Sequence, residues 1–205
     1  MNFTPVTSAI LAITVLVSLL AMDNHSLKAK LYFYPAGMQN GKEAYRFLTH
    51  GFIHSDWIHL VFNMLTLFFF GTAVEESKLF SPVEFATFYL SAIVAASIYD
   101  FFRQRNNYRY ASLGASGAVA AVIFSTILVD PWYRGICIYG AICLPNIVYG
   151  VLYIWYCIYM DKKGNDNIGH SAHLWGSIYG IIFTAILKPE IFKHFLYQIT
   201  HPYWL

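Results

Sequence analysis

Six long, mostly apolar runs occupy most of this chain of 205 residues and restrict its fold more than any other feature. The hydrocarbon core of a bilayer is about 30 Å thick, so a spanning helix needs roughly 20 predominantly apolar residues. The runs predict spanning helices at 6–22, 57–74, 82–102, 113–129, 135–159 and 170–187.

Composition agrees with this interpretation. The chain is 58% hydrophobic and only 12% charged, whereas soluble domains carry about 25% charged residues. So few charges cannot cover a surface that faces water on all sides, and lipid must be the solvent for most of the chain. We therefore predict an all-α membrane protein, a bundle of six transmembrane helices in one domain over residues 1–205.

Two segments mix aromatic with basic residues instead of being uniformly apolar. Residues 23–56 combine tyrosines with lysines and Arg46, and residues 190–205 combine several aromatic rings with Lys193. Such mixtures favour the boundary between lipid and water. The sequence predicts a long interfacial loop over 23–56 and a short interfacial helix in the tail.

The distribution of charge limits partners and orientation. The net charge is +2, and the sequence has neither a basic cluster nor a phosphate-binding loop, which excludes a nucleic-acid partner. Helix alternation puts most basic residues on one face of the membrane, and the positive-inside rule would place that face in the cytoplasm. That face carries Lys28, Lys30, Lys42, Arg46, Arg103, Arg105, Arg109, Lys162 and Lys163.

Ionisable side chains at membrane depth are costly, so they indicate a functional site. In the second run, His59 and Asn63 are four residues apart and share one helix face, from which both can donate hydrogen bonds. His50 and His54 precede them, nearer the membrane surface. For these two we expect hydrogen bonds to loop carbonyls.

Small residues surround a serine and a histidine at two other helix starts. The fourth run opens with Gly114-Ala115-Ser116-Gly117, and in the sixth run His173 precedes a Gly-x-x-x-Gly pair, Gly176 and Gly180. Small residues let two helices approach closely. Taken singly, Ser116 could bond its own helix carbonyl and His173 a loop carbonyl. Together with the two donors, they form the set of a nucleophile, a base and oxyanion donors that acyl transfer requires.

These residues resemble the rhomboid family of intramembrane serine proteases. The matching strings are His59-x-x-x-Asn63, Gly114-Ala115-Ser116-Gly117 and Ala172-His173-Leu174-Trp175-Gly176-x-x-x-Gly180, together with Tyr45-Arg46 and Gly71-Thr72-Ala73-Val74-Glu75. The resemblance extends over about residues 45–181, with the strings in the family's order and spacing.

The resemblance implies a role for each matched residue. Ser116 would be the nucleophile and His173 the general base of a dyad without an acidic third member. His59, Asn63 and the backbone N–H of Ser116 would form the oxyanion site. The substrates would be transmembrane proteins in the lipid bilayer, and the chemistry needs neither a cofactor nor a metal.

Further expectations concern support and location. Arg46 and Glu75 would brace the first loop and the helix bundle, and residues 161–166 would form a mobile lid. Ala120 stands where bacterial members carry a tyrosine stacked on the catalytic imidazole, so another group must orient His173.

The family places the active-site mouth on the outer side, opposite to the side that the basic residues indicate. We follow the family and expect a bacterial inner (plasma) membrane protein.

Two other functions compete with proteolysis. One is a catalytically weak or inactive rhomboid-like protein that binds membrane clients. The other is a metal-binding protein or transporter that uses some of five histidines: His50, His54, His59, His170 and His173. Neither the His-Glu-x-x-His string of zinc proteases nor the Gly-x-Gly-Asp string of aspartyl intramembrane proteases occurs. The three cysteines, Cys137, Cys143 and Cys157, are expected to be small buried hydrophobic residues.

Overall fold

The computed structural model of the chain describes residues 4–133, 136–138, 142–164 and 168–202. In this part of the chain the α-helices are α1 (Pro5–Met22), α2 (His25–Leu31), α3 (Arg46–Thr49), α4 (Trp57–Glu76), α5 (Pro82–Gln104), α6 (Ser116–Val129), α7 (Asn146–Lys163), α8 (His170–Leu187) and α9 (Pro189–Thr200). Two short strands, β1 (Ile136–Ile138) and β2 (Ile142–Leu144), lie between α6 and α7.

Local side-chain chemistry sets several helix ends. The Asp56 carboxylate accepts the backbone N–H of His59 at the start of α4. Ser81 and Glu84 form a reciprocal capping box at the start of α5, which satisfies two N–H groups that the helix leaves open. Gly164 ends α7 in the left-handed conformation that glycine adopts without steric strain.

Helix α6 is the central element of the bundle. Eleven of its 14 residues are buried, and it packs against α4, α5, α7 and α8. The bundle's outer surface is apolar, with large exposed side chains such as Phe62, Phe69 and Trp155. Since polar side chains such as Ser18, Ser125 and Thr184 are buried instead, the arrangement suits a protein surrounded by lipid.

The chain is an integral membrane protein, and among its described residues three helices, α1, α4 and α5, are long and apolar enough to cross a bilayer. Helix α6 is apolar but only 14 residues long. Helix α7 ends in three charged residues, 161–163, and α8 opens with two histidines, so both are less apolar over their length. The predicted count of six spans stays a prediction.

The predicted fifth helix was wrong at its beginning. Where a helix was expected from residue 135, β1 and β2 pair in antiparallel register, and α7 begins only after Pro145. Proline fits the start of a helix but not its interior, because it has no N–H and its ring clashes with the preceding turn.

Cys143 is disulfide-bonded, and the strand register places the backbone of Cys137 opposite it. The expectation for Cys143 was therefore wrong, whereas Cys157 is free and buried as predicted.

The predicted interfacial segments are ordered. Residues 23–56 contain α2, α3 and three short 3₁₀ turns, and Phe33 pairs through its backbone with Ser112. Helix α9 confirms the helix expected in the tail, of which residues 203–205 lie outside the described residues. The placement of both segments at the interface, and the single domain over 1–205, stay predictions.

The expected lid is not a free loop at its beginning. Residues 161–163 belong to the last turn of α7, and Arg103 of α5 binds both carboxylate oxygens of Asp161 at 2.7 and 2.8 Å. Asn165 and Asp166 lie outside the described residues. The start of the segment is thus helical and ion-paired to α5, and the lid stays a prediction.

Candidate active site

Close contact between α6 and α8 is the basis of the site. A Cβ atom on Gly176 would overlap the Gly117 carbonyl oxygen, and one on Gly180 would overlap the Ala121 carbonyl oxygen. The two helix backbones therefore touch along the small-residue faces that the sequence predicts to meet. Any side chain larger than hydrogen at either glycine would force α8 away from α6.

This contact places Ser116 and His173 at the same level of the bundle. Ser116 is the first residue of α6 and is partly exposed, and the next residue is Gly117. A Cβ on Gly117 would lie 3.2 Å from the carbonyl oxygen of Ala172, the residue before His173. Within the described part of the chain, the Ser116 hydroxyl and the His173 ring are not hydrogen-bonded to each other. The helices bring the two residues into one neighbourhood, and the dyad itself stays a prediction.

His59 lies beside the segment that leads into Ser116. A Cβ on Gly114 would lie 2.6 Å from Cε1 and 2.8 Å from Nε2 of the His59 ring. Gly114 has a φ of +120°, a conformation in which other residues are strained. Glycine is therefore required at position 114, because it adopts the positive φ without strain and leaves space for the His59 ring.

Asn63 lies one turn further along α4 and is buried. Its side-chain Nδ2 donates to the backbone carbonyl of His59 at 2.9 Å. An amide nitrogen carries two N–H groups, so this contact occupies one donor and orients the other. The expected oxyanion role of His59 and Asn63 stays a prediction.

His54 and His50 hold the backbone before Ser116. The Ala115 N–H donates to His54 Nε2 at 3.4 Å, and the Gly114 N–H donates to the His50 carbonyl at 2.9 Å. Ser18 of α1 donates to the Phe52 carbonyl and lies 2.9 Å from His54 Nδ1. Since the Ser18 proton is used, His54 Nδ1 is the donor of that pair, which leaves Nε2 as the acceptor that Ala115 needs.

The two histidines differ in how well they were predicted. His50 Nδ1 bonds the Arg46 carbonyl at 2.8 Å, as expected for a histidine that satisfies a loop carbonyl. His54 instead accepts a backbone N–H and connects α1 to the start of α6. The prediction was therefore confirmed for His50 and wrong for His54.

We expect the stability of the folded protein to fall as the pH is lowered from about 7 to about 5. Burial lowers the pKa of His50 to about 4 and that of His54 to about 3, so both rings stay neutral in the folded state. The unfolded chain takes up these protons below about pH 6.5. Each ring then reduces the free energy of unfolding by on the order of 1 kcal/mol per pH unit, down to its folded pKa.

Thermal unfolding in detergent at a series of pH values measures this effect. His54→Gln keeps an acceptor near the position of Nε2 but does not titrate, so its midpoint should vary less with pH. Ser26→Ala, at an exposed position on α2 without a titratable group, should leave the pH dependence unchanged. An unchanged pH dependence in His54→Gln would contradict the assignment.

The comparisons with known proteins identify the family. The sequence profile of the Rhomboid domain matches residues 41–190. The chain belongs to the rhomboid family. RHOMBOID-like protein 12, mitochondrial, of Arabidopsis thaliana is 29% identical over 161 residues, 71% of this chain and 47% of that protein. Rhomboid protease GlpG of Haemophilus influenzae is 26% identical over 159 residues, 76% of each chain. Putative rhomboid protease YdcA of Bacillus subtilis is 26% identical over 195 residues, 91% of each chain.

Coverage differs among these relatives. The chain spans about half the length of the Arabidopsis protein but most of the length of the two bacterial proteins. The match to the rhomboid profile includes the segments that contain Ser116, His173, His59 and Asn63.

Two residues brace this rhomboid as predicted. Arg46 is buried, donates to the carbonyls of Ala29 and Tyr32, and forms an ion pair with Glu43 at 2.8 Å. It thereby ties α2 to α3 within the first loop. The Glu75 carboxylate, at the end of α4, accepts the backbone N–H groups of residues 6 and 7 at the start of α1, where a helix favours negative charge.

A tyrosine of the fifth predicted helix contacts His173, and nothing in the sequence pattern indicates this contact. Tyr153 of α7 stacks on the His173 ring with a centroid distance of 6.2 Å and an interplanar angle of 19°. Ala120 is buried in α6 and offers no ring. Tyr153 therefore lies where a ring can limit the rotation of the imidazole. No local spacing could have revealed this pair, because its members belong to different helices.

Proposed function

We propose that this rhomboid is a serine endopeptidase that cleaves peptide bonds in or near the transmembrane segments of other membrane proteins. The observation that supports the proposal is the backbone contact between α6 and α8, in which Gly117, the residue after Ser116, lies against Ala172, the residue before His173. Family membership and the relatives named as rhomboid proteases support it. The protein would act in a bacterial inner membrane on substrates that share its bilayer.

The proposed reaction begins with Ser116. As its oxygen attacks the substrate carbonyl carbon, His173 takes the hydroxyl proton. The C–N bond then breaks, and His173 returns the proton to the leaving amine. Water hydrolyses the acyl-enzyme through the same two residues in the second half of the cycle. A Ser–His hydrogen bond is often long in a free enzyme and shortens when substrate binds.

The tetrahedral intermediate carries a negative oxygen that needs donors. His59, Asn63 and the Ser116 backbone N–H would supply them, and each such donor typically contributes about 3–4 kcal/mol to transition-state stabilisation. The contacts of His59 with Gly114, and of Asn63 with the His59 carbonyl, hold these donors near the start of α6. His54 keeps the Ala115 backbone in place directly before the nucleophile.

The direct test is cleavage of a fluorescently labelled transmembrane substrate by the purified protein in detergent and in vesicles. We expect a small number of defined products whose cut sites map within or beside the substrate's spanning segment. Thermal unfolding of the same preparation establishes that it is folded. A folded protein that binds the substrate but leaves it intact would favour the alternative of a client-binding protein without catalysis.

We expect Tyr153 to be a positioning residue for His173. A ring contact of this kind is worth about 0.5–1.5 kcal/mol, so Tyr153→Ala should lower kcat by about 2- to 10-fold with little change in KM. Tyr153→Phe, which keeps the ring, should restore most of kcat. Steady-state kinetics on the labelled substrate measures both constants.

The matched control for this prediction is Tyr159→Ala. Tyr159 lies on the same helix but is exposed on its outer side, so its loss should leave kcat unchanged. An equal loss of kcat in Tyr153→Phe and Tyr153→Ala would show that the ring contact with His173 does not support catalysis.

A further inference from the structure

A cluster of three metal-ligating side chains lies beside the candidate active site. Cys157 of α7 and His170 and His173 of α8 each offer one ligand atom, and these atoms all lie within 4.8 Å of one another. Cys157 and His170 are buried, while His173 is partly exposed. The sequence pattern groups His170 and His173 with other histidines as candidate ligands, and nothing in their spacing indicates that a cysteine lies beside them.

Helix geometry explains why the three meet. His170 and His173 are three residues apart on α8, so they lie on one face of the helix. Their rings are 6.1 Å apart and nearly perpendicular, at 78°. Cys157 reaches this face from α7, which packs against α8. The Tyr153 hydroxyl interacts with the Cys157 thiol, a contact of the kind that orients a ligand.

We propose that Cys157, His170 and His173 bind one transition-metal ion of the Zn²⁺ type, and that the bound ion blocks the base. One thiolate with two imidazoles is a donor set that suits Zn²⁺, Co²⁺ and copper. Three protein ligands are enough for zinc, because a fourth position can hold water. Binding displaces the thiol proton of Cys157 to solvent, and no oxidation or reduction is involved.

The distances require a small adjustment. With bonds of about 2.0–2.3 Å, tetrahedral zinc holds neighbouring ligand atoms roughly 3.3–3.7 Å apart. From separations of up to 4.8 Å, the side chains would close by about an ångström. Such a movement lies within the reach of side-chain rotation and leaves the α6–α8 contact in place.

A route for a cation adjoins the cluster. A cavity of about 230 Å³ is lined by His170 together with Asp100, Asp161 and Arg103. Arg103 is ion-paired with Asp161 and offsets its charge, so Asp100 is the carboxylate that can attract a cation. The Ser171 hydroxyl lies 2.7 Å from both oxygens of Asp100 and donates its one proton to that carboxylate. A negative group in a confined cavity raises the local concentration of cations. A metal ion can thus reach His170 from the side on which Ser116 and His173 lie.

The consequence for activity rests on the proposed function, whereas metal binding does not. A neutral imidazole has one ring nitrogen that accepts a proton and one that already carries a proton. When a metal binds the accepting nitrogen, His173 cannot take the Ser116 proton. Zn²⁺ would therefore inhibit the protease reversibly, and a chelator would restore turnover. The site would make proteolysis sensitive to free transition metal on the side of the membrane to which the cavity opens.

Titration of the purified, chelator-treated protein with Co²⁺ tests binding without reference to activity. We expect one equivalent of Co²⁺ to produce a thiolate-to-cobalt absorption band in the near ultraviolet. The band should be lost in Cys157→Ala and in the similarly sized Cys157→Ser. In His170→Ala the affinity should fall by more than the roughly 10- to 100-fold that loss of an outer contact causes. His25→Ala, an exposed control, should bind as the unmodified protein does.

Two further outcomes separate the two proposals. If Co²⁺ binds but the protein never cleaves substrate, the metal site stands and the protease proposal fails. If substrate is cleaved but the band is absent, or persists in Cys157→Ala, the metal site is wrong. Where both hold, Zn²⁺ should inhibit the unmodified protein, and whatever turnover Cys157→Ala retains should no longer respond to Zn²⁺.

Discussion

Ser116→Ala is expected to abolish substrate cleavage and to prevent labelling by a fluorophosphonate probe, which reacts with activated serines. Without the hydroxyl no acyl-enzyme can form, so kcat should fall by at least about 10³-fold. The measurements are gel-based probe labelling and cleavage of the labelled transmembrane substrate, on protein whose thermal unfolding matches that of the unmodified chain.

The matched control is Ser125→Ala. Ser125 is a buried serine on the same helix whose hydroxyl bonds the Val122 carbonyl, so its loss should leave labelling intact. His173→Ala should lose as much activity as Ser116→Ala, and the double variant should lose no more, because the two residues act as one unit. Labelling that persists in Ser116→Ala would end the assignment of the nucleophile.

Gly176→Ala is expected to destabilise the protein more than any other single added methyl group in α8. The new Cβ would overlap the Gly117 carbonyl oxygen, which belongs to a helix backbone and cannot rotate away. Overpacking of this kind costs about 1–3 kcal/mol, and Gly176→Val should cost more. Because relief of the clash moves α8 away from α6, cleavage should also fall, since His173 moves away from Ser116.

Thermal unfolding in detergent, compared with cleavage rates, measures both effects. Gly169→Ala is the control at the start of the same helix, where a Cβ would meet only the Ala172 Cβ at an ordinary 3.7 Å. Its unfolding midpoint should change much less than that of Gly176→Ala. If Gly176→Ala unfolds at the same temperature as the unmodified protein, the close contact between the helices is not present in solution.

The apolar helices were predictable because their cause is local. Helix α8 begins and ends at the predicted residues, and α1, α4 and α5 differ from the predicted spans by one or two residues at their ends. Each follows a run of apolar residues, and two of them also begin at a side-chain cap, Asp56 before α4 and Ser81 before α5. The error at residues 135–145 arose because a short apolar run with β-branched residues suits a strand as well as a helix.

The site was only partly predictable, for a related reason. The close contact between the start of α6 and α8 could be predicted. The small residues around Ser116, and the Gly176 and Gly180 pair, each indicate a helix face that can pack closely against another helix. The contacts of Tyr153 with His173 and of His54 with Ala115 could not be predicted. The spacing of residues in the sequence does not show which distant residue a tyrosine or histidine ring will contact.

By its order of residue types alone, the chain determined that it would be helical, that it would lie in lipid, and that a serine, a histidine and two donors would start helices on one side. Packing of the helices decided which rings face the imidazole of His173, that Cys157 approaches the two histidines, and that His54 holds the backbone before the serine. The difference is physical: hydrophobicity and capping act between neighbours in the chain, whereas these contacts depend on the rotation and depth of helices packed against one another.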